Sequence, residues 1–297
     1  MDTPSGNHGG GDGPLVSVIV PVYRQWHLVP LLLDGLRRQT FDAVRFEILL
    51  IDNEPGARRP QVDLPHNARI LECAAPGAYA SRNVGIGAAR GQLLAFTDAD
   101  CRPKPQWLAA LVGAWEQAGD GMFAGPVDLV CDSERPNRYE VYDLFRGIPQ
   151  ARYVRNGYAA TANLMMPKAL VERLGGFDVT RMSGGDSDLT LRATRSGISL
   201  SLVEDAVVEH PTRDDWEAAA TKARRVKGGQ LTAGPYSRRL KWFLRTLTPP
   251  VRAMVRYLRM DRPWRQKGQA ILVLYQLWFV ELWEMGRLLL GGSPERK

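Results

Sequence analysis

The segment "LLAFTDADC", residues 93 to 101, ends an apolar run in two carboxylates, Asp98 and Asp100, separated by one alanine. Hard oxygen ligands of this kind suit Mg²⁺ or Mn²⁺, which keep part of their water shell and bridge to substrate phosphates. A turn at the end of the run can bring both acids to one ligand, so an Asp-x-Asp here can anchor a metal diphosphate. The alternative is a pair of solvated turn acids, since Asp is common in turns. A second apolar run, "RFEILLIDNEP" (45 to 55), also ends in an acid, Asp52, and "GGDSDLTLR" sets Asp186 and Asp188 ahead of a helix pattern.

Periodic elements must position these groups. "PLVSVIVPVY" (14 to 23) is a β-branched run ending near Pro21 and predicts a buried parallel strand. "HLVPLLLDGLRRQ" (27 to 39) has apolar residues at helical spacing, with Arg37 and Arg38 late, where cations suit the helix dipole. After the run ending at Asp52, "AYASRNVGIGAARGQ" (78 to 92) reads as a small-residue helix, and the opening strand follows. Alternation of this kind predicts an α/β fold with a mostly parallel sheet and right-handed crossovers. Ligands bind such sheets outside the carboxyl ends of the strands. Pro21, Asp52 and the Asp98/Asp100 pair each stand at one of those ends, so they are expected to converge on one crevice.

Other classes are excluded. Neither GxGxxG nor GxxxxGK[ST] occurs, which speaks against a dinucleotide fold and a P-loop NTPase; the glycines of "GIGAARG" are read as close helix packing. Cys73, Cys101 and Cys131 are widely spaced and follow a start without an apolar signal segment. A reducing, cytoplasmic compartment is therefore expected, without a disulfide framework or zinc finger. Cys101 receives no role. Residues 1 to 13 are Gly-rich and nearly free of large apolar groups, and they predict a loose tail. Of the formal charge of +7, residues 211 to 297 carry 18 Lys+Arg against 7 Asp+Glu, and residues 1 to 210 carry 21 against 25. An acidic domain over 14–212 and a basic helical region over 213–297 are thus expected to meet different partners.

Taken in order, "VSVIVPVY", "EILLIDNE", "ASRNVGIGAARGQLLAFTDAD", "GGFD" and "GGDSDLTLR" resemble family 2 glycosyltransferases of the GT-A fold, over about residues 15 to 212. The resemblance implies that Asp52 holds the nucleotide base of an activated sugar, with Pro21 and Tyr23 lining the same pocket. It implies that Arg82 lies near the base and diphosphate, Asp98 near the ribose or metal, and Asp100 on the metal. A sugar hydroxyl attacks poorly unless its proton is removed, so an inverting transfer needs a positioned base; Asp186 matches the family base. Asp188 and Arg192, four apart, are read as an intrahelical ion pair. His210 matches a further metal contact or is structural; Asn163 matches an acceptor-side position or is a satisfied loop amide. The chain departs from the family at Gly185, on the acceptor side, where many relatives have Glu, and at Asn53, Glu54 and Pro55 after Asp52.

The basic end has its own pattern. In "VRAMVRYLRM" (251 to 260), Arg252, Arg256 and Arg259 share one helical face, and a basic amphipathic stretch of this kind can lie on anionic lipid. "AILVLYQLWFVELWEMGRLLL" (270 to 290) is long enough to span a bilayer but carries Glu281, Glu284 and Arg287, so an interfacial helix or one packed on the domain is expected. So much apolar content favours lipid over nucleic acid as the partner.

The expected protein is a metal-dependent, inverting, non-processive glycosyltransferase, using Mn²⁺ or Mg²⁺ and a nucleotide-sugar donor, a UDP-sugar. Its acceptor would be a glycan or a lipid-linked molecule, met on the cytoplasmic face of a membrane. The rivals are a nucleotidylyltransferase, which would need a Gly-rich basic phosphate loop after the first strand, and a non-catalytic sugar-nucleotide or lipid-binding module.

Overall fold

Strand β1, Val16–Val22, is covered on both faces, which explains its unbroken β-branched run where a half-exposed strand would alternate. The structure is a computed structural model that describes residues 13–295; apart from Gly13, the expected tail lies outside the described residues. After β1 come α1 (Val29–Arg37), β2 (Phe46–Asp52), β3 (Ala68–Glu72), α2 (Ala78–Ala88) and β4 (Leu93–Phe96). Next are β5 (Arg102–Pro103), α3 (Trp107–Ala118), β6 (Met122–Ala124), β7 (Val127–Val130), α4 (Arg138–Arg146) and α5 (Gln150–Arg155). Then β8 (Leu164–Pro167), α6 (Lys168–Arg173), α7 (Gly185–Arg195), β9 (Leu200–Leu202) and β10 (Val208–Pro211) complete the α/β part. The helices α8 (Trp216–Thr232), α9 (Tyr236–Leu247), α10 (Val251–Arg259) and α11 (Trp264–Leu289) follow.

The main sheet has the order β3-β2-β1-β4-β8-β6-β9, parallel except for β8, which is antiparallel to β4 and β6. The chain moves outward from β1 through β2 to β3, then returns to place β4 on the other side of β1. That reversal leaves a crevice beyond the carboxyl ends of β1 and β4. Val16, Val18, Val20 and Val22 pack with Leu32, Leu36, Trp107 and Leu111 on one face. Ile19, Leu49, Ile51 and Phe96 pack with Ile86, Phe177 and Leu189 on the other. A second small sheet, β5-β10-β7, carries His210 toward the same edge.

A buried carboxylate ties the opposite ends of these strands together. Glu47 of β2 accepts from Ser17 Oγ of β1 at 2.7 Å, and from Arg90 N at 2.6 Å and Nε at 3.0 Å, with Arg69 at 3.2 Å. Ser17 Oγ in turn accepts from Gly91 N at 2.9 Å. A Cβ on Gly91 would stand 2.7 Å from the backbone of Val16 and Ser17, so only glycine lets the chain pass here. Helix α2 consequently ends at Ala88 and not near 92, because residues 89 to 91 are committed to this latch. The glycines of this stretch divide: Gly85 packs closely on Ile19, Gly91 on backbone, and Gly87 on nothing.

The C-terminal helices share a core with the α/β part. Ala270, Val273 and Leu277 of α11 pack with Val141, Tyr142 and Phe145 of α4, Ala219 and Ala220 of α8, and Tyr257 of α10. The polar arc of α11 turns inward: Glu281 pairs with Lys227 of α8 at 2.9 Å, and the fully buried Glu284 pairs with Arg287 at 2.7 Å. Leu272, Phe279 and Trp283 are left facing out, 50%, 61% and 72% exposed. Among the described residues no helix is long and apolar enough to cross a membrane.

Burial alone would raise the pKa of Glu47, but the Arg90 N–H, the Ser17 hydroxyl and the two guanidiniums hold it below the usual value of 4.5. Its contribution to stability is therefore complete above pH 4.5 and lost as pH falls through the lower folded value. Glu47→Gln is expected to cost about 2 kcal/mol in urea melts near neutral pH. That deficit should shrink as the melts are repeated at increasingly acid pH.

Candidate active site

The crevice beyond β1 and β4 is a cavity of about 360 Å³. Pro21 and Tyr23 reach it from the end of β1, Tyr79 and Arg82 from the first turns of α2, and Asp98 and Asp100 from the turn after β4. Asp186 enters at the start of α7, His210 from β10, and Arg213 and Arg225 from the approach to α8 and α8 itself. Seven of the residues singled out in the sequence thus share one cavity: Pro21, Tyr23, Arg82, Asp98, Asp100, Asp186 and His210.

The acids after β4 are held in different ways. Arg82, almost fully buried against the rings of Tyr79 and Phe177, donates to Asp98 Oδ1 at 2.6 Å. Asp100 accepts from Gln25 through Oδ2 at 3.3 Å, while its Oδ1 is buried without a hydrogen-bond partner. His210 Nε2 lies 3.7 Å from that oxygen. The other ring nitrogen, Nδ1, is 2.7 Å from the carbonyl of Pro211, which can only accept, so Nδ1 carries the proton. Nε2 then offers a lone pair toward a carboxylate, an arrangement that is repulsive unless a proton or a cation lies between. The ligand atoms of Asp98, Asp100, Cys101 and His210 all lie within 4.8 Å of one another. This donor set fits a divalent cation, and the partnerless Asp100 oxygen is the observation that tests the fit. Burial, Asp98 and Asp100 raise the pKa of the Cys101 thiol well above its usual value, and carboxylate oxygens and imidazole suit Mn²⁺ or Mg²⁺ better than sulfur does.

Asp186 begins α7 just after Gly184, whose φ of 72° is left-handed. It accepts from the Ser187 N–H at 2.9 Å. Burial raises its carboxyl pKa above 3.8 and Asp98 adds to the rise, against the Ser187 N–H and Arg82. Beside it, Tyr79 is stacked on Phe177 and accepts from the Gly185 N–H at 2.9 Å. Burial, with Asp186 adding to it, pushes the Tyr79 hydroxyl up to about 12, so it stays neutral. Asp188 pairs with Arg192 at 3.0 Å, as its spacing predicts, and also with Arg181 at 2.6 Å.

Three residues stand elsewhere than expected. Asp52 is buried behind the wall: one oxygen accepts from the Glu54 N–H at 3.1 Å and the other from Arg59 at 3.1 Å. Its neighbour Asn53 takes the wall position, accepting from the Gly77 N–H at 2.9 Å and so fixing the entry to α2. Asn163 does not line the cavity and is the satisfied amide of its two readings. Fully buried, it accepts from Trp107 Nε1 at 2.8 Å and donates to the carbonyls of Pro126 and Ala206, so its amide is spent on packing. Gly185 is buried under Tyr79 and does not line the cavity; a Cβ there would stand 2.7 to 2.9 Å from the Tyr79 ring, so a larger residue would force that ring to move. Sequence reasoning missed Tyr79, Gln25, Arg213 and Arg225. The charge surplus after residue 210 is the signal for the two arginines, and it is expected above to meet a partner other than that of the acidic domain.

A sheet that reverses at β1, with an acid and imidazole cluster and a half-buried carboxyl at its carboxyl edge, defines a transferase of the GT-A kind. Residues 17–175 match Glycosyl transferase family 2, and the chain belongs to that family: it is a glycosyltransferase. It is 33% identical over 225 residues to the Glycosyltransferase AglE of Haloferax volcanii, covering 72% of this chain and 73% of that one. It is 27% identical over 216 residues to the Pre-mycofactocin glycosyltransferase of Mycobacterium tuberculosis, covering 68% of this chain and 44% of the relative. The crystal structure of S. aureus TarS 1-349 in complex with UDP has the same fold, with TM-score 0.53 at 16% identity over 91% of both chains. The complex of that protein with UDP-GlcNAc gives 0.52 at 17%, over 89% of this chain and 72% of the other.

Asn163→Ala should leave the Trp107 N–H and the Ala206 carbonyl unsatisfied, while the Pro126 carbonyl keeps the Val208 N–H, lowering stability by about 2 to 4 kcal/mol. A urea melt checks this directly. If Asn163 met an acceptor, the acceptor KM would rise with the melt unchanged.

Proposed function

We propose that the protein is an inverting, metal-dependent glycosyltransferase that moves one or a few sugars from a nucleotide-sugar donor, a UDP-sugar, to a hydroxyl of a glycan or lipid-linked acceptor. One observation carries the reading: Asp186, a carboxyl of raised pKa, shares a single cavity with the Asp98, Asp100 and His210 cluster. The solved complexes of TarS with UDP and UDP-GlcNAc support a uridine donor.

Asp98, Asp100 and His210 would hold a divalent cation, Mn²⁺ or Mg²⁺, which when bound neutralises charge on the departing diphosphate. Arg82 fixes the Asp98 carboxylate, and Gln25 that of Asp100. Pro21 and Tyr23 flank the donor, with Asn53 beside them in the cavity wall. Asp186 takes the proton of the acceptor hydroxyl as its oxygen bonds to the anomeric carbon; the bond from that carbon to the diphosphate breaks, and its electron pair leaves with the diphosphate. A single displacement inverts the centre without a covalent enzyme intermediate.

A membrane surface completes the reading. Leu272, Phe279 and Trp283 form an unpartnered apolar stripe on α11, with Trp264 near its start, and Arg252, Arg256 and Arg259 of α10 stand exposed beside this helix. Exposed aromatics flanked by arginines suit an anionic lipid surface, which would also present a lipid-linked acceptor. The cytoplasmic face is the location this implies.

Asp186→Asn should retain donor binding and lose transfer on the order of 10² to 10⁴-fold. Because the base acts unprotonated and its pKa is raised, the parent's rate should fall on the acid side at a pH above the ordinary aspartate value of 3.8. Turnover assays across pH check both; undiminished turnover in the variant removes Asp186 from its role. Separately, Phe279→Ser with Trp283→Ser should reduce sedimentation of the full chain with anionic vesicles about tenfold. Equal sedimentation of parent and variant excludes the α11 stripe.

A further inference from the structure

Where α4 ends beside α8, the fold gathers more positive charge than it balances. Arg213, which lines the cavity, pairs with Asp143 of α4 at 2.8 Å and donates its backbone N–H to the same oxygen at 3.1 Å. Lys222 of α8 and Arg146, the last residue of α4, act on that carboxylate as well, so one buried acid serves three cations. Burial, then Arg146 and Arg213, hold the Lys222 amine well below its usual pKa. Among the described residues the side chains of Lys222 and Arg146 form no hydrogen bond and no close ion pair. Both residues are half-buried, and their nitrogens reach solvent.

The cluster stands on the Asp186 side of the cavity. Tyr153 of α5 acts on Arg146 and stacks on Tyr158, with ring centroids 4.8 Å apart. Burial raises the Tyr158 pKa above 10.0, and Tyr153 and Asp186 add to the rise against Arg152, so this ring lies within electrostatic reach of the base. The next residue, Ala159, donates its N–H to Thr190 Oγ1 at 3.3 Å, and that hydroxyl donates to the Asp186 carbonyl at 2.8 Å. A line of side chains thus runs from Asp186 to the three cations, away from Pro21, Tyr23 and Asn53 at the other end of the cavity. Like charges gathered in partial burial are unfavourable, and a fold retains them where a ligand supplies the opposite charge. Guanidinium forks match two phosphate oxygens, and an ammonium adds a point charge for a third. We propose that Arg146, Lys222 and Arg213 form an anion site that takes a phosphate carried by the acceptor, separate from the diphosphate of the donor. The assignment rests on the reading of Asp186 as the base that meets the acceptor, and it narrows the acceptor to a phosphate-bearing molecule. A sugar phosphate and a lipid phosphate offer the same chemistry, and the test separates them.

The test uses the full chain saturated with UDP and Mg²⁺, so that the donor phosphates are in place. Binding of glucose 1-phosphate, decyl phosphate and glucose is followed by ligand-observed NMR on the parent, Lys222→Gln, Arg146→Gln and Lys222→Arg. In the parent at least one phosphate probe should bind about tenfold tighter than glucose, and the probe that does so identifies the source. Each glutamine variant should weaken that probe about tenfold and leave UDP affinity within about twofold, and Lys222→Arg should recover part of the loss. The proposal is overturned if UDP binds and neither phosphate probe outbinds glucose, or if either glutamine variant holds the probe as tightly as the parent. A parallel fall in UDP affinity, or no recovery in Lys222→Arg, overturns it in favour of a structural cluster. A parent that binds none of a panel of nucleoside diphosphates overturns the donor reading first, and the proposal with it.

Discussion

The register of β4 against β1 decides where Asp98 and Asp100, the two acids after β4, stand in the cavity. Val16 pairs with Leu93 and Ile19 with Phe96, so β4 ends level with the middle of β1, and Thr97 and Asp98 emerge just where β1 continues into Pro21. A slip of one residue would exchange the two faces of β4 and carry Asp98 and Asp100 out of reach of His210. The latch at the other end of the strands, where Glu47, Ser17 and Gly91 meet, pins that register. A buried carboxylate that accepts four hydrogen bonds has no second arrangement of comparable quality, so it acts as a locator for chemistry at the far end of the sheet.

What could be read from the sequence was whatever repeats. Runs of Val, Ile and Leu covered on both faces announced β1, β2 and β4, and the acids at their ends announced the crevice. Asp98, Asp100 and His210 could be picked out because each follows an apolar run, and Asp186 because it stands ahead of a helix pattern in a segment that resembles the family's. Their mutual arrangement needed the crossover that takes the chain from β3 back past β1, which no local pattern records.

Where the reading went astray, one polar group had several possible uses. Asn163 and Gly185 have the residue types of a site, but their roles are fixed by Trp107 and Tyr79, partners 56 and 106 positions away in the chain. Asp52 ends its strand as expected, yet Arg59 and the Glu54 N–H take up its carboxylate. The arginines of α8 show the opposite error. Charge that counted in one dimension only as a surplus expected to meet a different partner is turned inward by the packing of α8 against α11, which also packs on α4.

That packing has a practical consequence for anyone shortening the chain. Removing α11 to shed its exposed aromatic rings would also strip Lys227 of Glu281 and uncover Ala219 and Ala220, on the helix that carries Arg225. The apolar stripe and the cavity wall are the two sides of one helical layer. Surface-entropy or solubility engineering therefore belongs in point substitutions on the outer face of α11, with the length of the C-terminus left alone.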